Sequence, residues 1–506
     1  MKRLLACLMA VVMLASFAAI AEYDEKVSVT VHTVKTTTAA DYYSDELAKF
    51  MMNKFNFDYE VWPVATDSQN EKVRVWVNSG SMPTLTTWTG FNYSEYVDYA
   101  SQGLLAPLPE GWEETYPNMY KMVLKSGLLD YLDVNGKVYA IPHTSFGLFS
   151  DVPVITNHIT TFYRKDWAEE LGYDFGISVK RSEFKQYLED CIENNMSGTD
   201  VTYGLIAHPK FMTNGFMDAS GVLWDGFAKT EDGMVWSPTQ PKVVETIKLL
   251  REWYQDGILY PDYYLLATNE VAEHFRVGKC AAMILDGPIT QYSNNSIQMA
   301  QNGIDPNAWG ATILTDEDGV IHAREANNYY TVTLFNPEID EVTMDRMLAL
   351  TDWLFSKEGV LICQMGIPGV EWDMDEEGNP YYLPAALKED GSVIPQKTRH
   401  TSYLIWRQLG MITDDFNFVN PAYKDFKDIS LNMYAVKAAG DILPYNFEYD
   451  FFTSETKDVY SVDINSALTA LVIGDEDIDT AWQKFIDDNA GMWQPLLDEL
   501  NEAYYN

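Results

Sequence analysis

The order of apolar and polar positions in the first hundred residues predicts a repeated strand–helix pattern. Val27 to Val34 alternates valine with serine and threonine, which predicts a strand, and residues 40–53 carry apolar side chains at helical spacing. A strand over 58–64, a helix over 72–77 and a third strand over 83–88 are predicted next. This β-α-β-α-β order predicts a parallel sheet and an α/β fold.

The segment 274–288 has the clearest local pattern in the chain. Gly278 can adopt the positive φ that ends a helix, and Cys280 to Leu285 is an uninterrupted apolar run, as in a strand that is covered on both faces. Turn residues follow at Asp286-Gly287-Pro288. Ligands of open α/β sheets bind at the carboxyl ends of the strands, so this pattern makes Asp286 a candidate site residue.

Strands and helices are also predicted on both sides of this segment. Asn135-Gly136 predicts a hairpin, 331–335 a strand and 344–361 one long helix, and the tail over 403–506 has a mostly helical pattern. No low-complexity linker separates these regions. The sequence therefore predicts two lobes that are joined by several chain crossings rather than two domains in series.

The amino terminus has the pattern of a secretory signal peptide over residues 1–21. Lys2 and Arg3 precede an apolar stretch that ends in Ala19-Ile20-Ala21, a small-residue cleavage site. A membrane anchor is the rival interpretation, and the short length of the stretch disfavours it. Leu4 to Cys7 has the letters of a lipoprotein box but precedes the apolar core, so we predict a free exported protein, secreted or periplasmic.

Composition excludes several classes of partner. The formal net charge is −40 and the isoelectric point is near 4.3, a field that repels nucleic acid and anionic membranes. After the leader only Cys191, Cys280 and Cys363 remain, an odd and widely spaced set that predicts no disulfide framework. Residues 373–378 imitate a calcium loop, but Pro384 occupies the position of the bidentate glutamate, so a hairpin turn is favoured.

No pattern of catalytic residues stands out. The sequence has no G-x-S-x-G or H-E-x-x-H motif, its seven histidines are scattered, and pairs among its 75 acidic residues are too numerous to carry information. We therefore predict a protein that is not an enzyme and that needs neither a cofactor nor a metal.

Several separate blocks, in the same order, resemble the extracellular solute-binding proteins of bacterial ABC transporters, in particular the sugar-binding family 1 and its large Firmicutes-type branch. The blocks span nearly the whole chain after the leader, and their order is more specific than any one of them. They are Gly80 to Leu85 with Trp88, Gly103 to Leu108, Asn135 to Pro142, Tyr163 to Trp167, Phe275 to Pro288, Ser356 to Gly359, Gly366 to Trp372, and Ile473-Gly474 with Ile478 and Trp482.

This resemblance implies a periplasmic-binding-protein-like fold with two α/β lobes and a helical carboxyl-terminal region. We assign 22–155 plus 283–325 to the first lobe and 156–282 plus 326–506 to the second, with crossings near 141–162, 283–288 and 324–330. It also implies the substrate-binding component of an ABC importer, a monomer that captures a carbohydrate between its lobes, most simply an oligosaccharide, and delivers it to permease subunits.

Sugars present hydroxyl rims and apolar faces, so aromatic rings and polar acceptors are the expected contacts. Each candidate also has a structural interpretation: core packing for the tryptophans, a turn for Asp286, and a packed crossing residue for His143. The candidate ligand-binding residues are Trp88, Asn92, His143, Trp224, Asp225, Asp286, Tyr329 and Tyr330.

Two alternatives stay open from the sequence. The same fold could bind a peptide, polyamine or polyol, and a cationic solute would need several converging carboxylates. A secreted glycoside-active enzyme would need two carboxyl groups that flank the scissile bond.

Overall fold

The computed structural model describes residues 23–65, 68–150, 155–410 and 414–505. The chain divides into two compact units, each of which is built from two stretches of sequence. The first unit comprises residues up to 152 and 327–424, and the second comprises 153–326 and 425–506. The predicted leader over 1–21 lies outside the described residues, and none of the described helices is long and apolar enough to cross a membrane.

The first unit contains a five-stranded mixed sheet. Val27–His32 pairs in parallel with Phe57–Val61 and Leu85–Trp88, which confirms the parallel pattern predicted for this region. The later strand Thr331–Phe335 then pairs antiparallel with Leu85–Trp88 and Ala140–His143. The strand Thr331–Phe335 thus comes from a distant part of the chain and joins the sheet that is formed by the first three strands.

Helices and two short hairpins surround this sheet. The hairpins are Asp133–Val134 with Lys137–Val138 and Trp372–Met374 with Pro380–Tyr382. Two 3-10 turns lie at Pro384–Ala386 and Pro421–Tyr423. The described α-helices of the first unit are Glu46–Phe55, Gln69–Ser79, Tyr93–Ser101, Trp112–Thr115, Pro117–Ser126, Leu129–Leu132, Glu341–Leu354, Lys357–Met365, Gln396–Arg399, Tyr403–Leu409 and Asp414–Asn417.

The second unit also contains a five-stranded mixed sheet. Its spatial order is Ser178–Lys180, Trp309–Thr315, Ile159–Arg164, Cys280–Asp286 and Tyr203–Ala207. Cys280 to Leu285 is buried throughout, as the uninterrupted apolar run predicted. This strand lies antiparallel to one neighbour and parallel to the other, so both of its edges are hydrogen-bonded.

Amphipathic helices cover the sheet of the second unit. In Pro241–Gln255 the side chains of Val243, Ile247, Leu250 and Trp253 form a buried stripe at helical spacing. Two ribbons, Phe227–Thr230 with Gly233–Trp236 and His322–Arg324 with Asp441–Leu443, complete the unit. Two 3-10 turns lie at Ser237–Thr239 and Tyr263–Leu265. The described α-helices of the second unit are Lys165–Leu171, Arg181–Glu193, Pro209–Ala219, Pro241–Gln255, Thr268–Arg276, Ile289–Gln301, Lys427–Ala438, Phe447–Asp450, Glu455–Val459, Ile464–Ile473, Ile478–Asp488 and Ala490–Tyr505.

The predicted assignment of residues 283–325 to the first lobe is wrong. The strand Cys280–Asp286 and the strand Trp309–Thr315 both pair with Ile159–Arg164 of the second unit. The chain therefore passes between the units near residues 152, 326 and 424, and not near 283–288. Residues 327–424 likewise belong to the first unit rather than the second.

The single helix that was predicted over 344–361 is interrupted. Glu341–Leu354 ends near Phe355, and a second helix, Lys357–Met365, begins after Ser356. The Ser356 side chain accepts a hydrogen bond from the main-chain N–H of Gly359, as an N-cap residue does. The apolar periodicity continues across the break, so periodicity alone does not reveal the new cap.

Candidate functional site

The second unit contains a cavity of about 400 Å³ that is formed by four separate segments of the chain. The loop 223–227 precedes a short ribbon, and Arg324-Glu325 ends the strand His322–Arg324. Residues 444–450 and 460–464 supply the remaining lining. A concave site with aromatic and polar lining is the usual form of a small-ligand site.

Arg324 organises the acidic side of this cavity. Its Nε donates to Asp218 Oδ1 at 3.2 Å, and its Nη1 donates to Asp225 Oδ1 at 3.0 Å. Burial opposes the charge of Arg324, but the two carboxylates outweigh burial and raise its pKa. The contact with Arg324 holds the Asp225 carboxylate in place. Its side chain is nevertheless 43 % exposed, so a ligand can reach it.

Tyr445 fixes two further carboxyl groups of the lining. Its main-chain N–H donates to Glu325 Oε2 at 3.0 Å, and its hydroxyl donates to Asp450 Oδ2. Burial raises the pKa of Asp450 against the hydrogen bond from Tyr445 and the charge of Lys457, and the charge of Asp225 adds a smaller rise. The other oxygens of these carboxyl groups, like Asp225 Oδ2, accept no hydrogen bond from the described residues. They are thus oriented acceptors for a ligand.

Aromatic rings form the other side of the cavity. The Tyr449 and Tyr460 rings lie with their centroids 4.9 Å and 5.6 Å from that of Phe227. The Trp236 Nε1 donates to the Tyr460 hydroxyl at 2.8 Å, which fixes that ring. Rigid rings beside oriented carboxylates suit a ligand with apolar faces and hydroxyl rims.

Polar and aromatic groups also gather at one edge of the sheet in the first unit. Trp88 ends its strand there and is fully buried, and its Nε1 has no hydrogen-bond partner among the described residues. Tyr330, 45 % exposed, directly precedes the strand that pairs with Trp88. The Lys35 Nζ lies 6.0 Å from the centroid of the Tyr330 ring. This edge is the carboxyl end of the parallel strands.

The structure brings the predicted residues of the first unit to this edge, but two of them have structural contacts. His143 is fully buried, with Nδ1 2.8 Å from the carbonyl oxygen of Gly410 and Nε2 2.7 Å from Thr333 Oγ1. Burial lowers the pKa of His143 to about 4, which keeps the ring neutral. The Asn92 side chain caps the helix Tyr93–Ser101 by accepting the Glu95 N–H. Contact of these residues with a ligand stays a prediction.

The predicted residues of the second unit separate into three positions. Asp225 lines the cavity, whereas the adjacent Trp224 is buried and its Nε1 donates to Asn214 Oδ1 at 2.8 Å. Asp286 ends its strand with an exposed side chain, 3.7 Å from His158 Nδ1, and is not part of the described lining of the cavity. Of these three, Asp225 alone stands in the cavity.

Sequence reasoning missed most of the cavity. Arg324 fell in a predicted crossing without a role, and Glu325 was not singled out. The alternation of aromatic and acidic residues over 445–450 was a usable signal, because rings and carboxylates are typical of saccharide sites. Within the described residues, no group of three or more His, Cys, Asp or Glu side chains is arranged to hold a metal ion.

The arrangement of two α/β units linked by several crossings is the fold of the solute-binding proteins of ABC transporters. The predicted periplasmic-binding-protein-like fold is therefore confirmed. No protein-family model matches the sequence, and no curated protein is detectably similar to it.

Three solved structures illustrate the similarity. The alginate-binding protein AlgQ2 superposes with a TM-score of 0.69 at 16% identity, over 96% of this chain and all of that one (100%). The ABC-transporter substrate-binding protein FusA of S. pneumoniae, in complex with kestose, gives 0.68 at 14% identity over 95% and 99%. An HMO-binding solute-binding protein from Bifidobacterium longum infantis gives 0.63 at 14% identity over 94% and 96%. At these identities the likeness establishes the fold.

Proposed function

We propose that this protein is the substrate-binding component of an ABC importer and that it captures a carbohydrate, in particular an oligosaccharide, for delivery to permease subunits. The observation that carries the proposal is the cavity of the second unit, where tyrosine rings stand beside carboxyl oxygens that have no partner among the described residues. The named ligands of the similar folds, such as kestose and alginate, support the same class.

Export of the protein is part of this proposal. The sequence pattern over residues 1–21 supports it, since a capture protein of an importer must meet its solute outside the cytoplasmic membrane. We also propose that the protein acts as a monomer and that it binds its ligand without chemical change. The similar structures are described as binding proteins, which supports binding rather than catalysis.

Replacement of Tyr449 by alanine is expected to weaken saccharide binding by about 30- to 150-fold. Loss of one ring face of ~100 Å² removes about 2–3 kcal/mol of apolar burial. Tyr449→Phe retains the ring and should bind nearly as the wild type does. Isothermal titration calorimetry against a panel of neutral, amino and acidic oligosaccharides measures both effects.

The matched control is Tyr505→Ala, which removes an exposed tyrosine from the carboxyl-terminal helix and should not change affinity. If a folded wild-type protein binds no saccharide in the panel, the carbohydrate proposal is wrong. The saccharide recovered after prolonged incubation should be intact, and release of smaller sugars would instead reveal an enzyme.

A further inference from the structure

The cavity of the second unit is lined by more carboxyl groups than cations. Asp225, Glu325 and Asp450 line it, and Arg324 is the one cation among the described lining residues. The excess negative charge stands next to three tyrosine rings within a space of about 400 Å³. Such a site favours a ligand that supplies positive charge, because complementary charge strengthens binding in a partly enclosed site.

The hydrogen bonds of the nearby cations go largely to other groups, although the buried Nη2 of Arg324 has no partner among the described residues. Arg324 divides its hydrogen bonds between Asp225 and Asp218, which is outside the lining. The Lys457 Nζ donates to the main-chain carbonyl oxygens of Tyr449, Asp450 and Phe452 at 2.5, 2.7 and 2.9 Å. An ammonium group has three protons to donate, so Lys457 has none left for the cavity.

Lys229 is also engaged, since it forms an ion pair with Glu448. Neither Lys229 nor Lys457 donates a hydrogen bond to a lining carboxylate, although the charge of Lys457 acts on Asp450 and Lys229 is close enough to interact with Glu325. Burial raises the pKa of Asp450, the hydrogen bond from Tyr445 and the charge of Lys457 oppose that rise, and the charge of Asp225 adds a smaller rise.

The acceptor positions suit an ammonium group. Asp225, Glu325 and Asp450 each use one oxygen in a hydrogen bond within the protein, and the second oxygen of each accepts none from the described residues. The tyrosine rings add a further attraction, because a cation is favoured over the face of an aromatic ring. A hydroxyl in this place would fill the acceptors but would leave the excess charge uncompensated.

We propose that this cavity binds a protonated amine of the saccharide, so that the ligand is an oligosaccharide of amino sugars whose amines are free. This inference rests on the proposed carbohydrate function and narrows its ligand class. N-acetylation would remove the favourable charge, and a uronic acid would be repelled by the lining carboxylates.

Three trisaccharides with closely related backbones test the proposal by calorimetry at slightly acidic pH. Chitotriose carries free amines, cellotriose carries hydroxyls in the same positions, and triacetylchitotriose carries uncharged amides. We expect chitotriose to bind about tenfold more tightly than either of the others, the effect of one charge-assisted hydrogen bond. Added salt should weaken chitotriose binding and leave cellotriose binding nearly unchanged.

Glu325→Gln and Asp450→Asn retain side-chain shape and remove one charge each. Each is expected to weaken chitotriose binding about tenfold while the affinity for cellotriose stays within about threefold. Asp475→Asn, an exposed position of the same unit, is the control and should change neither. Thermal melting confirms that the variants are folded, and the wild-type comparison of the three sugars stands independently of them.

Equal or tighter binding of cellotriose would overturn the inference and leave the carbohydrate function standing. Binding of no saccharide by the folded protein would overturn both. Spermidine separates the two sources of an ammonium group: if it binds as tightly as chitotriose, the assignment to a saccharide is wrong.

Discussion

Replacement of Glu371 by alanine is expected to lower the free energy of unfolding of the first unit by about 3–5 kcal/mol, the cost of breaking a buried ion pair from one side. Glu371 Oε1 lies 2.5 Å from Arg399 Nη1, and Oε2 lies 2.7 Å from His400 Nε2. Oε2 also accepts the Ile367 main-chain N–H at 2.7 Å. All three side chains are less than a tenth exposed, so alanine would leave the buried guanidinium of Arg399 without its carboxylate. Urea unfolding followed by tryptophan fluorescence measures the loss.

The same network predicts a dependence on pH. Burial opposes the charge of Glu371, but the hydrogen bond from His400 and the other donors outweigh burial and lower its pKa below the ordinary value of 4.5. A carboxyl group with a lowered pKa contributes stability that is present above its unfolded pKa and is lost as pH falls through its folded value. The wild type should therefore lose stability relative to Glu371→Ala as pH falls below about 4.5. The exposed Glu376→Ala should change stability by less than ~0.5 kcal/mol, and an equal loss there would contradict the network.

Turn chemistry explains why much of the fold could be predicted from the sequence. Asn135 and Gly136 adopt positive φ in the predicted hairpin, and Gly278, at φ 78°, separates the helix Thr268–Arg276 from the following strand as predicted. Such signals are local, because only a few residue types tolerate these backbone angles. They mark where elements begin and end.

The same signals do not say which sheet a strand joins. The apolar run of Cys280–Asp286 predicts a strand that is covered on both faces, and each unit contains a sheet that could hold such a strand. The pattern therefore did not exclude the wrong assignment to the first lobe. Strand pairing is decided by contacts between distant parts of the chain, here with Ile159–Arg164 and Tyr203–Ala207. Tyr203–Ala207 was itself not predicted, since a five-residue strand has too few positions for its period to be evident.

The candidate site was predicted only where one loop carries its own signal. Asp225 stands in a Trp-Asp-Gly segment and was found, whereas Arg324, Tyr445 and Asp450 become neighbours only after the chain has folded. Arg324 supports Asp225 through a contact between residues 99 positions apart, and no window of sequence contains both. Aromatic composition was similarly uninformative, because residues such as Trp88 and Trp253 fill the cores.

Raising the pH from neutral to about 10 is expected to stabilise the wild type by about 2–3 kcal/mol relative to Lys437→Met. Lys437 is buried, and its Nζ donates to the carbonyl oxygens of Asn157 at 3.1 Å and Ile159 at 2.6 Å. Burial lowers its pKa from 10.5 to about 8, although the charges of Asp218 and Asp286 oppose the shift. Between those two values the unfolded chain holds more protons than the folded one, so stability rises with pH and is complete above the unfolded pKa.

The measurement is the difference between the urea unfolding free energies of the two proteins at each pH. This difference removes the contributions to the pH dependence of tyrosines and other titratable groups that both proteins share. Lys484→Met removes an exposed lysine of the same unit, 72 % exposed, and its difference from the wild type should stay flat across the range. A flat difference for Lys437→Met as well would mean that the ammonium is not held at a cost in the folded state. A rising difference would place that cost beside Asn157 and Ile159, on the segment by which the chain enters the second unit from the first. The protein would then hold a charge at this entry point against the cost of burial, with the negative charges of Asp218 and Asp286 in its favour.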